Sequence, residues 1–207
     1  SARFREQYAY QGDENSFDEA LNRAGATRES ITDVVITHLH FDHCGGSTIH
    51  KHSQPQPAFP NAKYHLQKRQ LEHARARFER DRASYFPEDF EPLISTGVVN
   101  IVDGGWELLP GVSAIVCDGH TPGMQLVKVS DGGQTLLYAA DLIPLSSHFP
   151  LPWIMAYDLY PVTTLTEKKQ ILTQAAQEGW LFFFEHDASR MTGRVKLTER
   201  GFALGEG

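Results

Sequence analysis

The segment Ile36–Gly46, which reads I-T-H-L-H-F-D-H-C-G-G, constrains this chain more than any other stretch of it. The segment places three histidines and one aspartate within six residues, directly after an apolar run that begins at Val34. Such a run predicts a buried strand, and the two glycines that close the segment predict a turn just beyond the polar cluster. The sequence therefore predicts a strand that ends in a group of metal-ligating side chains.

The four polar side chains of this segment have the chemistry of metal ligands. On an extended backbone His38 and His40 point to the same side, and a turn at Phe41 would bring Asp42 and His43 round to face a second point. Neutral imidazoles and a carboxylate suit zinc or another borderline divalent ion. Solvated surface histidines are the alternative, which the crowding after a buried strand disfavours.

An H-x-H-x-D-H pattern at a strand end resembles the signature of the metallo-β-lactamase superfamily of metal-dependent hydrolases. In that family two metals lie between two β-sheets flanked by helices, and a histidine, a bridging carboxylate and a last histidine follow downstream. This chain has His120 in D-G-H-T-P-G, Asp141 after an apolar run, and His186 after another. The resemblance covers residues 31–187. It implies an α/β (α+β sandwich) chain with the layered αββα fold.

The resemblance also implies a ligand set for two divalent ions, which we expect to be zinc, with iron, manganese or cobalt as alternatives. One ion would be held by His38, His40 and His120, the second by Asp42, His43 and His186, with Asp141 bridging both. A metal-bridging hydroxide would then attack a small ester or lactone, and Asp42 would be the catalytic proton shuttle. Thr37, Asp118 and Glu185 flank ligands and are expected to orient imidazoles.

Asp141 narrows the choice of reaction within the family. An aspartate here, with a complete first motif, resembles the hydrolases of esters, lactones, thioesters and phosphoesters more than the antibiotic-hydrolysing branches. N-acyl homoserine lactonase-like action is our first hypothesis. The lactonases carry a tyrosine three residues after the bridging aspartate, whereas this chain has Pro144, so Tyr157 or Tyr160 would have to replace it. The apolar residues of the loop 142–162 would either form a wall for the acyl chain of the substrate or simply cover the core. These residues are Phe149, Leu151, Trp153 and Ile154.

Two other functions remain open at this stage. The same metals would serve a phosphotriesterase similar to methyl parathion hydrolase. A thioesterase that acts on glutathione thioesters is disfavoured, because the sequence shows no basic cluster that would bind the glutathione carboxylate. A non-catalytic metal-binding or redox-responsive protein on the same scaffold is the third possibility. Metal analysis and a panel of lactone, aryl ester and phosphotriester substrates would separate these functions.

Composition limits the partners of the chain. The formal net charge of the 207 residues is −7, which argues against a nucleic-acid surface and favours a small-molecule substrate. The basic run 68–82 also contains Glu72, Glu79 and Asp81, which predicts a solvated helix face.

The apolar stretches and the number of cysteines indicate the cellular compartment that we expect for the protein. No apolar stretch approaches the ~20 residues of a membrane span, and residues 1–5 lack the hydrophobic core of a signal peptide. With only Cys44 and Cys117, too few for a disulfide scaffold, we expect free thiols in a reducing cytoplasm.

Residues 1–207 are expected to form one domain, with a helical insert at about 65–96 that covers one side of the site and sets specificity. Turn and capping signals predict the following elements: a helix from 16 to about 23, a strand at 33–37, a loop at 47–61, helices at 67–84 and 89–95, consecutive antiparallel strands at 98–102, 106–109, 112–117, 125–130 and 134–140, a helix at 164–178, and strands at 180–185, 194–198 and 201–204.

The first metal motif lies close to the start of the chain. In the family it follows several strands of the leading sheet, but residues 1–32 show no alternating strand pattern. We therefore expect an incomplete leading sheet with an open edge. An upstream segment or a second copy of the chain, as a homodimer, would cover that edge, or helix 16–24 would pack across it.

Overall fold

A computed structural model describes residues 6–7, 9, 16–51, 54–199 and 201–205. Within them the helices of four residues or more are α1 Ser16–Arg23, α2 Phe41–Cys44, α3 Lys68–Ala76, α4 Pro87–Ser95 and α5 Pro161–Glu178. The strands are β1 Asp33–Val35, β2 Thr48–Lys51, β3 Gln54–Pro57, β4 Lys63–Gln67, β5 Val99–Val102, β6 Trp106–Leu109, β7 Val112–Cys117, β8 Met124–Asp131, β9 Gln134–Tyr138, β10 Leu181–Phe183, β11 Thr192–Thr198 and β12 Gly201–Leu204. None of the helices in these ranges is long and apolar enough to cross a membrane.

The leading sheet has the strand order β1-β4-β5, and both pairings are parallel. The prediction that β5 opens an antiparallel series is therefore wrong. The segment between β4 and β5 contains α3 and α4, and a helical crossover of this kind is what a parallel pair requires. Because β1 ends at Val35, the histidine motif leaves the sheet at the carboxyl end of its strand.

The larger sheet has the order β12-β11-β10-β9-β8-β7-β6. Strands β6 to β9 form the predicted antiparallel series. In contrast, β10 pairs with β9 in parallel, with Leu181 opposite Leu136, after a crossover that contains α5. The carboxyl ends of β9 and β10 therefore meet at one edge of the sheet, and Asp141 and His186 both follow those ends.

Residues 47–61 are not the loop that their prolines predicted, because β2 and β3 pair there as an antiparallel ribbon. Pro55 and Pro57 are tolerated because β3 pairs along one edge only, so their missing N–H groups cost no ladder bond. His50 is exposed on β2. His52 lies outside the described residues.

The helix predicted over 67–84 ends at Ala76, where Arg77 adopts a left-handed conformation with φ 51°. Pro87, which lies between the predicted helices 67–84 and 89–95, is the first residue of α4, where its fixed φ fits and its missing N–H is not needed. Likewise α5 begins at Pro161, three residues before the predicted start. Glu167, in the first turn of the predicted helix 164–178, accepts hydrogen bonds from the backbone N–H groups of residues 118 and 119.

Two apolar clusters form the core. One lies on the larger sheet and is dominated by Trp180 and Phe182, and the other surrounds Tyr64 on the leading sheet. Cys44 and Cys117 are buried in these clusters as free thiols, as predicted. The Cys44 thiol donates a hydrogen bond to the carbonyl of Leu39 at 3.4 Å.

The side chain of Gln125 on β8 joins the two sheets. It is completely buried. Its Nε2 donates to the carbonyl of Ile36 at 2.8 Å, and its backbone N–H donates to the carbonyl of Thr37 at 2.9 Å. Its Oε1 accepts from Trp106 Nε1 at 2.8 Å and from Gln67 Nε2 at 3.0 Å. The residues immediately before the histidine motif are thus held directly by the second sheet.

Replacing Gln125 by Leu should therefore lower the free energy of unfolding by roughly 2–4 kcal/mol, because buried donors and acceptors on both sheets would lose their partners. The matched control is Gln134→Leu, an exposed position on β9. Urea titration of both variants measures the difference. Equal stability of the two would contradict the assigned role.

Candidate metal centre

The seven predicted ligands come from five separate segments that converge at the carboxyl ends of β1, β9 and β10. They are His38 and His40 after β1, Asp42 and His43 on α2, His120 in the turn after β7, Asp141 after β9, and His186 after β10. The short helix α2 supplies the turn that was expected at Phe41. It brings its two ligands back toward the strand end that carries the other two.

The first group of side chains contains His38, His40, His120 and Asp141, whose ligand atoms all lie within 4.8 Å of one another and which are all buried. Asp141 Oδ2 lies 3.1 Å from His120 Nε2 and 3.7 Å from His38 Nε2. His40 Nδ1 lies 3.2 Å from His120 Nε2. The structure thus brings together the side chains that were predicted to hold the first ion.

The second group contains His43, Asp141, Glu185 and His186 within the same 4.8 Å limit. The Nε2 atoms of His43 and His186 are 3.1 Å apart, and each lies 3.3 Å from a carboxylate oxygen of Asp141. Asp42 stands slightly outside, with Oδ2 3.7 Å from His43 Nε2 and 3.9 Å from His186 Nε2. Glu185, expected only to orient a ligand, is itself within reach of this group.

Asp141 belongs to both groups, so its carboxylate lies between two sets of imidazoles. It follows Ala140, a buried non-glycine residue with φ 44°. Strained backbone of this kind persists only where its surroundings enforce it. Burial raises the pKa of Asp141, but hydrogen bonds from His120, His186 and His43 outweigh burial and hold the pKa far below its usual range. The carboxylate is therefore ionised.

Two features of the histidines fit divalent cations. His38 Nε2 is buried without a hydrogen-bond partner among the described residues, although a buried nitrogen normally has one. In two other places imidazole nitrogens face each other. The Nε2 atoms of His43 and His186 are 3.1 Å apart, and His40 Nδ1 lies 3.2 Å from His120 Nε2. Nitrogens this close must share a proton or a cation, and the nitrogen and oxygen donors present suit zinc. The residues therefore fit divalent metal ions.

The second ring nitrogen of two histidines is held by a neighbour, which fixes the nitrogen that faces the centre. His38 Nδ1 lies 3.2 Å from Thr37 Oγ1, as expected from the sequence. Asp118 does not orient a ligand, because its carboxylate contacts Arg69 and the N–H of Gly123 instead. The partner of His120 Nδ1 is Asp158, at 2.9 Å.

Asp158 was not assigned a role from the sequence. It lies 38 residues from its partner, in a loop whose composition gave no signal. The loop is fastened to the His120 turn by backbone bonds from Leu159 N to His120 O and from Tyr160 N to Gly119 O. Burial lowers the pKa of His120, but its bonds to Asp141 and Asp158 outweigh burial and raise the pKa to about 9.

Lys168 on α5 holds the first half of the same loop. Its side chain is fully buried, and its ammonium donates hydrogen bonds to four backbone carbonyls, those of His148, Pro150, Leu151 and Trp153. Burial lowers the pKa of Lys168 to about 8. The loop that carries Asp158 is thus folded around a cation.

The apolar residues of this loop divide between core and surface. Phe149, proposed for a substrate wall, is instead 1% exposed and part of the core cluster. Trp153 and Tyr157 are 60% and 62% exposed. Partial burial, followed by the negative charges of Asp141 and Asp42, raises the pKa of Tyr157.

The sequence model of the metallo-beta-lactamase superfamily matches residues 4–186. An N-acyl homoserine lactonase of Bacillus cereus is 31% identical over 177 residues, which are 84% of this chain and 62% of the lactonase. This chain therefore spans less than two thirds of the length of that relative.

Among solved structures, the dizinc quorum-quenching lactonase AidC has a TM-score of 0.77 at 26% identity, with 95% of this chain and 71% of AidC covered. An N-acyl homoserine lactone hydrolase with N-hexanoyl-L-homoserine bound at its catalytic metal centre has a TM-score of 0.66 at 25% identity, covering 85% of this chain and 64% of the hydrolase. The family match and these likenesses agree with the layered fold and the convergent histidines, and this chain belongs to the metallo-β-lactamase superfamily.

Proposed function

We propose that this chain is a metal-dependent hydrolase that opens the lactone ring of N-acyl homoserine lactones at a centre of two divalent ions. The observation that carries the proposal is the buried carboxylate of Asp141 between two groups of histidines, each within ligand distance. The similarity to lactonases in sequence and in fold supports the choice of substrate. The phosphotriesters considered from the sequence have no specific observation in their favour.

The proposed ligands divide between the two groups. The first ion would be held by His38, His40, His120 and Asp141, and the second by Asp42, His43, His186 and Asp141, with Glu185 close to the second. Divalent ions held in this way polarise a carbonyl oxygen and lower the pKa of water toward neutrality. Asp158 and Thr37 keep two of the imidazoles in the orientation that this role requires.

Asp42 is the proposed proton carrier. Its side chain is 44% exposed at the edge of the centre, whereas the side chain of Asp141 is only 5% exposed. A carboxylate that is both close to the metal ligands and open to solvent can accept a proton during ring opening and release it to the leaving oxygen.

Tyr157 is the proposed donor to the substrate, as the replacement for the tyrosine that the lactonases carry at the position of Pro144. The backbone of Pro144 accepts a hydrogen bond from His186 N at 3.3 Å, so that position does lie beside the second group. The raised pKa of Tyr157 keeps its hydroxyl protonated. A protonated phenol can donate to the ester oxygen on which charge develops.

Elemental analysis after metal-replete expression should find about two divalent ions per chain. His186→Ala should retain about one, because the first group does not include that histidine. His50→Ala, at an exposed position on β2, is the control and should retain two. Well under one equivalent in the unaltered protein, with no activity restored by zinc, manganese or cobalt, would contradict the metal centre.

Asp42→Asn should lower kcat for an N-acyl homoserine lactone by roughly 10²–10⁴-fold, which is the range for losing a general acid–base group. The first ion should stay bound. Asp103→Asn, exposed and remote in sequence from the ligands, should leave turnover unchanged. Turnover of Asp42→Asn within a few-fold of the unaltered protein would rule out the proton-carrier role.

Tyr157→Phe should lower kcat by roughly tenfold or more through loss of one donor to the developing charge, without changing the thermal midpoint. Tyr160→Phe is the matched control. Steady-state kinetics across a panel of lactone, aryl ester and phosphotriester substrates would measure both variants. An unchanged kcat for Tyr157→Phe would remove Tyr157 from the mechanism, and a preference for phosphotriesters would overturn the lactonase assignment.

A further inference from the structure

Asp81 lies in the segment that the sequence predicted as a solvated helix face, and that prediction is wrong for this residue. Helix α3 ends at Ala76, and a single 3-10 turn follows at Arg82–Ser84. Asp81 is only 8% exposed. A buried carboxylate requires compensating partners, and the partners of Asp81 lead to the metal centre.

Three side chains converge on one oxygen of Asp81. Its Oδ2 lies 2.8 Å from His73 Nε2, accepts a hydrogen bond from the Tyr85 hydroxyl at 3.1 Å, and lies 4.0 Å from His40 Nε2. The Tyr85 hydroxyl also lies 2.8 Å from Thr121 Oγ1, in the turn that carries His120. The segment 68–85 is therefore connected to two of the three segments that supply the first group, the one that carries His40 and the one that carries His120.

The orientation of the His40 ring determines which of its nitrogens faces Asp81. His40 Nδ1 faces the centre, 3.2 Å from His120 Nε2, so its Nε2 faces outward to Asp81. An imidazole that binds a cation through Nδ1 carries its proton on Nε2, and that N–H needs an acceptor. Both His40 Nε2 and Asp81 Oδ1 are buried without a hydrogen-bond partner among the described residues.

We propose that Asp81 is a positioning residue for His40, and that through it the segment 68–85 is coupled to binding of the first metal ion. This inference depends on the metal centre of the proposed function. A shift of about 1 Å would shorten the 4.0 Å contact to a normal hydrogen-bond distance. His73 and Tyr85 hold the carboxylate in place for that shift.

Coupling of this kind is reciprocal. If Asp81 raises the affinity of the first group for a metal ion, then the bound ion must stabilise the segment that holds Asp81. The segment that borders the site would thus become more ordered when the centre is loaded. Two independent measurements follow, one on a variant and one on the unaltered chain.

The first measurement is zinc affinity, by competition with a chromophoric chelator. Asp81→Asn should weaken the tighter-binding site by 10–100-fold, the usual cost of losing an outer carboxylate, while still reaching two ions at saturation. Asp81→Glu, which keeps the charge, should recover most of the affinity. The control is Glu79→Gln, an exposed acid two residues away, which should bind as the unaltered chain does.

The second measurement is amide hydrogen exchange of the unaltered chain with and without zinc. Zinc should slow exchange in α3 and in residues 82–85 more than in α1, which supplies none of the proposed ligands. This arm needs no variant, so it remains decisive even where Asp81→Asn folds poorly.

The outcomes separate this inference from the proposed function. Zinc binding by the unaltered chain, with equal affinity in Asp81→Asn and no added protection of 82–85, overturns the role of Asp81 and leaves the metal centre intact. Failure of the unaltered chain to bind zinc overturns both. Weaker binding in Asp81→Asn, recovery in Asp81→Glu, and selective protection of the segment support the coupling.

Discussion

A buried, ionised carboxylate surrounded by imidazoles is the constraint on which the rest of this structure depends. Asp141 lies within 3.7 Å of nitrogen atoms of four histidines. Water is largely excluded from this point, so the negative charge must be balanced by protons or metal ions on the surrounding nitrogens. The same crowding of nitrogen and oxygen donors fits divalent metal ions.

The two sheets place this charge cluster by simple topology. Parallel pairing of β9 with β10 brings the ends of strands 45 residues apart in sequence to one edge, because parallel strands end on the same side. The leading sheet adds its histidines from the end of β1. Gln125 then fixes the relation between the sheets, since its amide bonds to backbone of one sheet from a strand of the other. The packing of the two sheets therefore determines how the histidines after β1 lie relative to Asp141 and His186.

Around the ligands lies a shell of buried groups that hold rings in place. Asp158 reaches His120 from a loop folded around the Lys168 ammonium, and Asp81 faces His40 from the segment between α3 and α4. The Asp81 carboxylate is itself held by His73 and by the Tyr85 hydroxyl, so its position is set before any ligand binds. Pre-organisation of this kind reduces the entropy that must be lost when the centre is loaded.

The sequence by itself determined the histidine motif, the order of the candidate ligands downstream of it, the antiparallel series β6–β9 and the family, because these depend on local pattern and on residue type at fixed spacing. Only the tertiary structure decided that β5 joins a parallel sheet, that α5 begins at Pro161, and that Asp81 and Asp158 are buried beside ligands. An isolated acidic residue has the same local signal whether it is solvated or buried. Its role depends on contacts with residues up to 41 positions away, such as that between Asp81 and His40, and only packing creates those contacts.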